Sequence, residues 1–189
     1  MPSGIILFGG GGVGDTTLGK AVAKILDYPH IDIDEYIWRW DTPLPYTARW
    51  SKEEKIDRLM TAISDHPHFV MSGSMWSFRK SFEAFFDLAV FMTAPAEIRA
   101  ERVRERSIRR WGDRVLPGGD MYERDSVYRD YLACTRRYDT GTVDEFSMAQ
   151  HEKWVEELSC PVLRVDGTKT IEENAKAVVD SYRSIMARK

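Results

Sequence analysis

Residues Gly9-Gly10-Gly11-Gly12-Val13-Gly14 put five glycines into six positions, between the apolar run Ile5–Phe8 and the helical pattern of Thr16–Leu26. So many glycines do not suit the interior of a strand or helix, because each loses the most backbone freedom on ordering. The segment must be a loop, and its neighbours make it a strand-to-helix loop. Without Cβ atoms its amides can approach an anion closely, and the following helix adds its dipole. A merely tight turn has no need of five glycines, so the loop points to phosphate. Two spacings overlap on it. Gly9-x-Gly11-x-x-Gly14 matches a dinucleotide-binding fingerprint, with Asp32 or Asp34 near the place of the ribose-reading acid. Gly9-x4-Gly14-Asp15-Thr16 matches a Walker A loop at every position but one, since Asp15 stands where lysine is expected. On the loop alone both readings stay open.

Apolar runs alternate with helical patterns along the rest of the chain. Ile5–Phe8, His30–Asp34, His68–Gly73, Asp87–Met92 and Pro161–Val165 read as five strands, the first a continuous buried run closed by glycine. Thr16–Leu26 carries apolar residues at helical spacing. Ser51 with Glu54 and Thr170 with Glu173 are capping-box pairs ahead of two further helices. Pro95 opens a long arginine-laden helix, Pro117-Gly118-Gly119 breaks it, and a polar helical region spans about Met121–Tyr138. Strands alternating with helices predict a doubly wound α/β domain with a parallel sheet. The chain of 189 residues, 43% hydrophobic, suits one domain with a sizeable core. Ile5–Phe8 stops at four glycines, so it reads as neither a leader nor an anchor, and no membrane association is expected. The formal net charge of -3 gives no pull toward nucleic acid. Cys134 and Cys160 read as reduced packing thiols, which points to the cytoplasm.

Beyond the loop, the chain resembles the adenylate-kinase-like and shikimate-kinase-like group of small P-loop kinases over most of its length. The resemblance rests on Arg99, Arg102, Arg104, Arg106, Arg109, Arg110 and Arg114 after the fourth strand, on Val165-Asp166-Gly167-Thr168 closing the fifth, and on His30-Ile31-Asp32-Ile33-Asp34. It implies a three-layer α/β P-loop kinase fold with a five-stranded parallel sheet and an arginine-rich helical lid. That makes residues 1–189 a single domain with a lid insertion of about 105–140. It further implies ATP and Mg²⁺ as cofactors and phosphoryl transfer to a small hydroxyl- or phosphate-bearing acceptor, by a monomer or homodimer. Gly9, Gly11, Gly12, Val13, Gly14, Asp15, Thr16 and Thr17 would surround the phosphates, with the Thr16 hydroxyl on Mg²⁺. Asp166, Gly167 and Thr168 would border the adenine. Two readings from other classes stay beside it: a nucleotide-binding protein without turnover, and a dinucleotide-dependent oxidoreductase domain.

Asp32 and Asp34, two apart on one strand, are expected to share a face at the sheet edge where ligands bind. There Asp32 would serve Mg²⁺ through water, and either carboxylate could take a proton from an acceptor hydroxyl. The alternative is that one of them caps a helix near Glu35. Arg102 and Arg106 are the candidates for stabilising charge on the transferred group, since planar guanidinium forks match phosphate oxygens. As exposed lid residues they should contribute little to stability, and other arginines would pair with Glu97, Glu101 and Glu105. Tyr36, Trp38, Trp40, Tyr46, Trp50, Trp76, Arg39, Arg49 and Arg79 would build the acceptor pocket. The four scattered histidines suggest no metal site. Asp15 reverses the sign of the missing lysine. At about 4 Å and an effective dielectric near 20, a unit charge pair is worth about 4 kcal/mol, so attraction becomes comparable repulsion. A carboxylate also suits a helix N-terminus and should steady the empty loop.

Overall fold

The computed structural model describes residues 2–123 and 127–188. Of the helical stretch expected over Met121–Tyr138, and of the lid interval, residues 124–126 lie outside the described residues. In chain order the elements are β1 (Ser3–Gly9), α1 (Asp15–Leu26), β2 (His30–Asp32), α2 (Ile33–Ile37), α3 (Lys52–Ser64), β3 (His68–Ser72) and β4 (Phe86–Thr93). Then come α4 (Ala96–Trp111), α5 (Asp120–Glu123), α6 (Val127–Arg137), α7 (Met148–Glu157), β5 (Val162–Asp166) and α8 (Ile171–Met186). All ladders are parallel, in the order β2-β3-β1-β4-β5. β1 sits at the centre, and its neighbours β3 and β4 take the chain to opposite sides of it. The carboxyl end of β1 is therefore the switch point at which open α/β sheets bind ligands. A dinucleotide-binding sheet runs 3-2-1-4-5 instead, so the topology removes that reading.

The period-two pattern of β1 builds both layers at once. Ile5 and Leu7 pack with Leu18 and Val22 of α1 and Val178, Val179 and Tyr182 of α8. Ile6 and Phe8 face the other way, onto Leu59 and Ile63 of α3 and Trp154 of α7. Both capping boxes form, Ser51 with Glu54 and Thr170 with Glu173.

Two elements depart from the expected reading. The second strand ends at Asp32, whose side chain accepts from Asp34 N at 3.1 Å and so starts α2. Of the two aspartates, Asp32 is the cap, and Asp34 belongs to the helix. Helix α7 lies in a stretch with no expected element. Its buried residues are Gln150, His151 and Trp154, only one of them a strong hydrophobe. The signal was Ser147, three residues ahead of Gln150 and accepting from its amide at 3.1 Å.

Trp154 is fully buried against Phe8, ring centroids 4.3 Å apart, and its indole N–H donates to Glu83 Oε1 at 3.0 Å. Trp154→Ala should lower unfolding free energy by about 3–5 kcal/mol, the cost of a large buried aromatic. Urea titration followed by far-UV circular dichroism would show this as a lower midpoint.

Candidate functional site

A cleft of about 650 Å³ lies over the carboxyl ends of β1 and β3. Gly9, Gly10, Gly11, Gly12, Asp15 and Thr16 form one wall, and Asp34, Trp38, Tyr46 and Arg49 face them from the segment after β2. Arg106 and Trp111 of α4, Tyr131 of α6, and Ser74 after β3 complete the enclosure. The loop needs its glycines for two reasons. Gly12 and Gly14 have φ of +83° and +103°, and a Cβ on Gly12 would collide with the Arg99 carbonyl oxygen. Val13 is buried in the core beneath the loop, and Thr17 is exposed one residue further along α1.

Asp15 and Asp34 line the cleft, and Asp32 stands beside them as the cap of α2. Asp15 opens α1 and accepts from Thr16 N at 3.0 Å, so it occupies one of the donors that an anion would use. The expected helix-dipole benefit does not win. Burial in the cleft, with Asp34 and Asp32 adding like charge, pushes the Asp15 pKa up to about 7 against the opposing Thr16 amide and Arg106. Burial and the neighbouring Asp32 likewise push Asp34 up to about 6, while the Trp38 indole N–H, 3.2 Å from its Oδ1, pulls the other way. Burial also raises Asp32. Among the described residues no group of three or more His, Cys, Asp or Glu stands at metal-holding spacing.

The arginines divide their work along α4. Arg99 is not a lid residue, because it is 1% exposed and bonds Ala94 O at 2.8 Å, Thr135 O at 2.9 Å and Asp139 at 2.7 Å. Arg102 is half-buried and donates to Gly167 O at 3.0 Å and Val13 O at 3.3 Å. It ties the glycine loop to the Asp166–Thr168 turn, which is not what an exposed lid arginine would do. Arg106 is the arginine brought to the cleft, donating to Tyr131 Oη at 3.2 Å. Of the lysines, Lys55 lines the cleft and Lys20 and Lys80 do not. Lys20 is exposed on α1, and Lys80 pairs with Glu83 at 3.1 Å and Glu157 at 3.2 Å.

Asp166, Gly167 and Thr168 form a self-bonded turn, Asp166 Oδ1 accepting from Thr168 N at 2.8 Å and Oγ1 at 2.7 Å. Gly167 N donates to Thr93 O at 2.7 Å, fixing the turn to the end of β4. The aromatics after β2 interlock with arginines. Tyr46 packs edge-on to Trp38, Trp40 and Trp111, Arg49 lies 4.2 Å over Trp38, and Arg110 donates to Tyr46 Oη at 3.2 Å. Arg79 stacks at 3.6 Å on Trp76, which lines the cleft, and pairs with Glu157 at 2.7 Å. Sequence reasoning passed over Ser74, Tyr131 and Gln150. Ser74 had a usable signal, since Gly73-Ser74 follows a strand at the ligand-binding edge of the sheet.

No family model matches the chain. Over 184 residues it is 32% identical to the uncharacterized protein YqaC of Bacillus subtilis (strain 168), spanning 97% of this chain and 99% of that protein. The chain belongs to the YqaC family. Its fold is that of the P-loop kinases. A shikimate kinase from Acinetobacter baumannii in complex with shikimate superposes with a TM-score of 0.55 at 14% identity, over 97% of this chain and 94% of that one. A gluconokinase from Sinorhizobium meliloti 1021 gives 0.52 at 17% identity, over 97% and 93%. At such identities the likeness is one of fold. Among the described residues no helix is long and apolar enough to cross a membrane.

Two outcomes follow from the site's electrostatics and bracing. An acid whose pKa is higher folded than unfolded makes the folded state bind the extra proton, so stability falls as pH rises from about 4 to about 7. Asp15→Asn should therefore stabilise the protein by about 1–2 kcal/mol at pH 8, a figure reduced for solvent screening, with the gain fading toward pH 4. Melting curves at both pH values test it. Arg102→Ala should cost about 1–2 kcal/mol through its two carbonyl bonds, whereas Arg106→Ala should leave the urea midpoint almost unmoved.

Proposed function

We propose that this protein binds Mg–ATP on the glycine loop and transfers its γ-phosphoryl group to a small hydroxyl- or phosphate-bearing acceptor. The observation that carries this reading is the continuity of the cleft. One cavity of about 650 Å³ is lined at once by Gly9–Gly12 and Thr16 and by the aromatic wall of Trp38, Tyr46 and Trp111. The amides of Gly9, Gly11, Gly12, Gly14 and Thr16 would donate to phosphate oxygens, with the Thr17 hydroxyl beside them, while the Val13 amide holds the loop itself through Gly10 O at 3.0 Å. Thr16 Oγ1 and, through water, Asp32 would hold Mg²⁺, whose remaining ligands would come from the triphosphate and water. The ion supplies neutralisation of phosphate charge when bound. Asp34, with a pKa raised to about 6, is suited to accept the proton of an acceptor hydroxyl near neutral pH. Arg106 would stabilise charge on the transferred group. Arg102 acts on the phosphates only through the loop it braces, and the Asp166-Gly167-Thr168 turn would border the adenine. Both cysteines are free, which suits the cytoplasm.

Nucleotide binding without turnover is the second reading, and one observation favours it. The Asp15 carboxyl takes the Thr16 amide that an anion would use. The two readings separate in one set of measurements: calorimetric titration of ATP with Mg²⁺, then phosphate transfer to a panel of small hydroxylated acceptors headed by gluconate and shikimate. Transfer to any acceptor supports the kinase, whereas binding without transfer supports the second reading. Asp15→Lys should tighten Mg–ATP binding about tenfold to a hundredfold, or about 1–3 kcal/mol after screening. Unchanged or weaker binding would remove Asp15 from the phosphate site.

A further inference from the structure

Behind the cleft runs a buried polar chain that the proposed transfer does not use. His151 of α7 is fully buried, edge-on to the stacked rings of Phe8 and Phe91. Its Nδ1 lies 2.6 Å from Tyr138 Oη, and its Nε2 lies 3.0 Å from Ser74 Oγ. Three elements far apart in sequence thus converge on one serine in the cleft wall. A buried polar chain between aromatic rings costs stability unless every member is satisfied. Its proton order is therefore determined by bookkeeping.

The Tyr138 phenol keeps its proton, since burial raises its pKa well above the ordinary value, and that proton must be donated. Its acceptor is His151 Nδ1. Burial drives the imidazole pKa down to about 3, so the ring is neutral and carries its single hydrogen on Nε2. That hydrogen is donated to Ser74 Oγ. The reverse order would leave the phenol proton buried with no acceptor, a cost of about 1–3 kcal/mol. The hydroxyl proton of Ser74 is left facing the cleft, with no other protein acceptor among the described residues. The serine's position is fixed in turn. Gly73 before it has φ of +114° and donates its amide to Leu7 O at 3.0 Å.

We propose that Ser74 is a substrate-contacting hydrogen-bond donor in the cleft, with His151 and Tyr138 as positioning residues that fix the direction of its proton. This rests on the reading of the cleft as an acceptor site and names what that site selects. The bound molecule presents an oxygen acceptor at Ser74, a hydroxyl, carboxylate or phosphoryl oxygen, and an ammonium group is disfavoured there. The same tyrosine touches the nucleotide side. A Cβ on Gly10 would stand 2.8 Å from Tyr138 Cδ1 and 2.7 Å from Arg99 Nη1, so the ring that orders the proton chain also seats the glycine loop.

The tautomer of His151 can be read without any ligand, by long-range ¹H–¹⁵N correlation on the full-length protein. The proton is expected on Nε2 in the wild type and should stay there in Tyr138→Phe, a variant that keeps the ring and the packing, while the Nδ1 ¹⁵N resonance moves downfield because its lone pair no longer accepts a hydrogen bond. With Mg–ATP and the best acceptor of the panel, Ser74→Ala should raise the acceptor KM about fivefold to tenfold, the loss of one neutral hydrogen bond. Its kcat should stay within about threefold. Ser74→Thr keeps the hydroxyl and should recover most of the loss, which a purely structural role would not give. A wild-type proton on Nδ1, or an unchanged KM in Ser74→Ala, overturns the proposal even when ATP binding is intact. Failure of the wild type to turn over any acceptor sinks the kinase reading instead, and the serine assignment is then decided by the tautomer alone.

Discussion

The site depends first on one buried cation. Arg99 is placed where water cannot reach it, and a charge so placed is tolerated only when its donors are all engaged. Its partners come from the end of β4, the end of α6 and Asp139, and its plane lies 4.7 Å over the Tyr138 ring. Its guanidinium and that ring together form the surface against which Gly10 is seated. Helix α4, helix α6 and the glycine loop are therefore fixed relative to each other by a single side chain. Any residue larger than glycine at position 10 would have to displace it.

On that frame, the cleft brings together charge of both signs, Asp15, Asp34 and Asp130 with Arg49, Lys55 and Arg106. Asp34 and Asp32 add to the rise of the Asp15 pKa and Asp32 to that of Asp34, and Arg106 opposes the rise at all three. Low dielectric strengthens every such term. The carboxyl at the head of α1 consequently sits between two roles, satisfying an amide donor and repelling an anion that would use the same donor. The aromatic wall answers the polarity of the loop. Arg49 and Arg110 lie on Trp38, Trp40 and Trp111, so the cations of this wall are held flat against rings.

Much of the scaffold was legible in the residues. The continuous apolar run Ile5–Phe8 and the five glycines after it required a buried strand feeding a phosphate-type loop, because no other structure accommodates that composition. Ser51 with Glu54 and Thr170 with Glu173 announced two helix starts through reciprocal capping, an interaction local to four residues. Asp15 was legible as a departure from its motif. These features are local, and local interactions need only neighbouring residues to be read.

What tertiary structure decided was everything that depends on distant partners. The arginines of α4 look alike in sequence and Arg99, Arg102 and Arg106 share one helical face, yet Arg99 is buried, Arg102 braces the loop and Arg106 enters the cleft, because their different positions along the helix axis meet different neighbours. Asp34 left the strand because Asp32 found a better use as a cap. Helix α7 was hidden because its buried face is a glutamine, a histidine and a tryptophan, residues whose burial is acceptable only once Val143, Tyr138, Ser74 and Glu83 supply their hydrogen bonds. The sequence by itself determined the strands, the glycine loop between β1 and α1 and the capped helix starts, and the strand order came from the fold. The proton order at Ser74 and the raised pKa of Asp15 came only from folding, since both arise from burial and from groups tens of residues away.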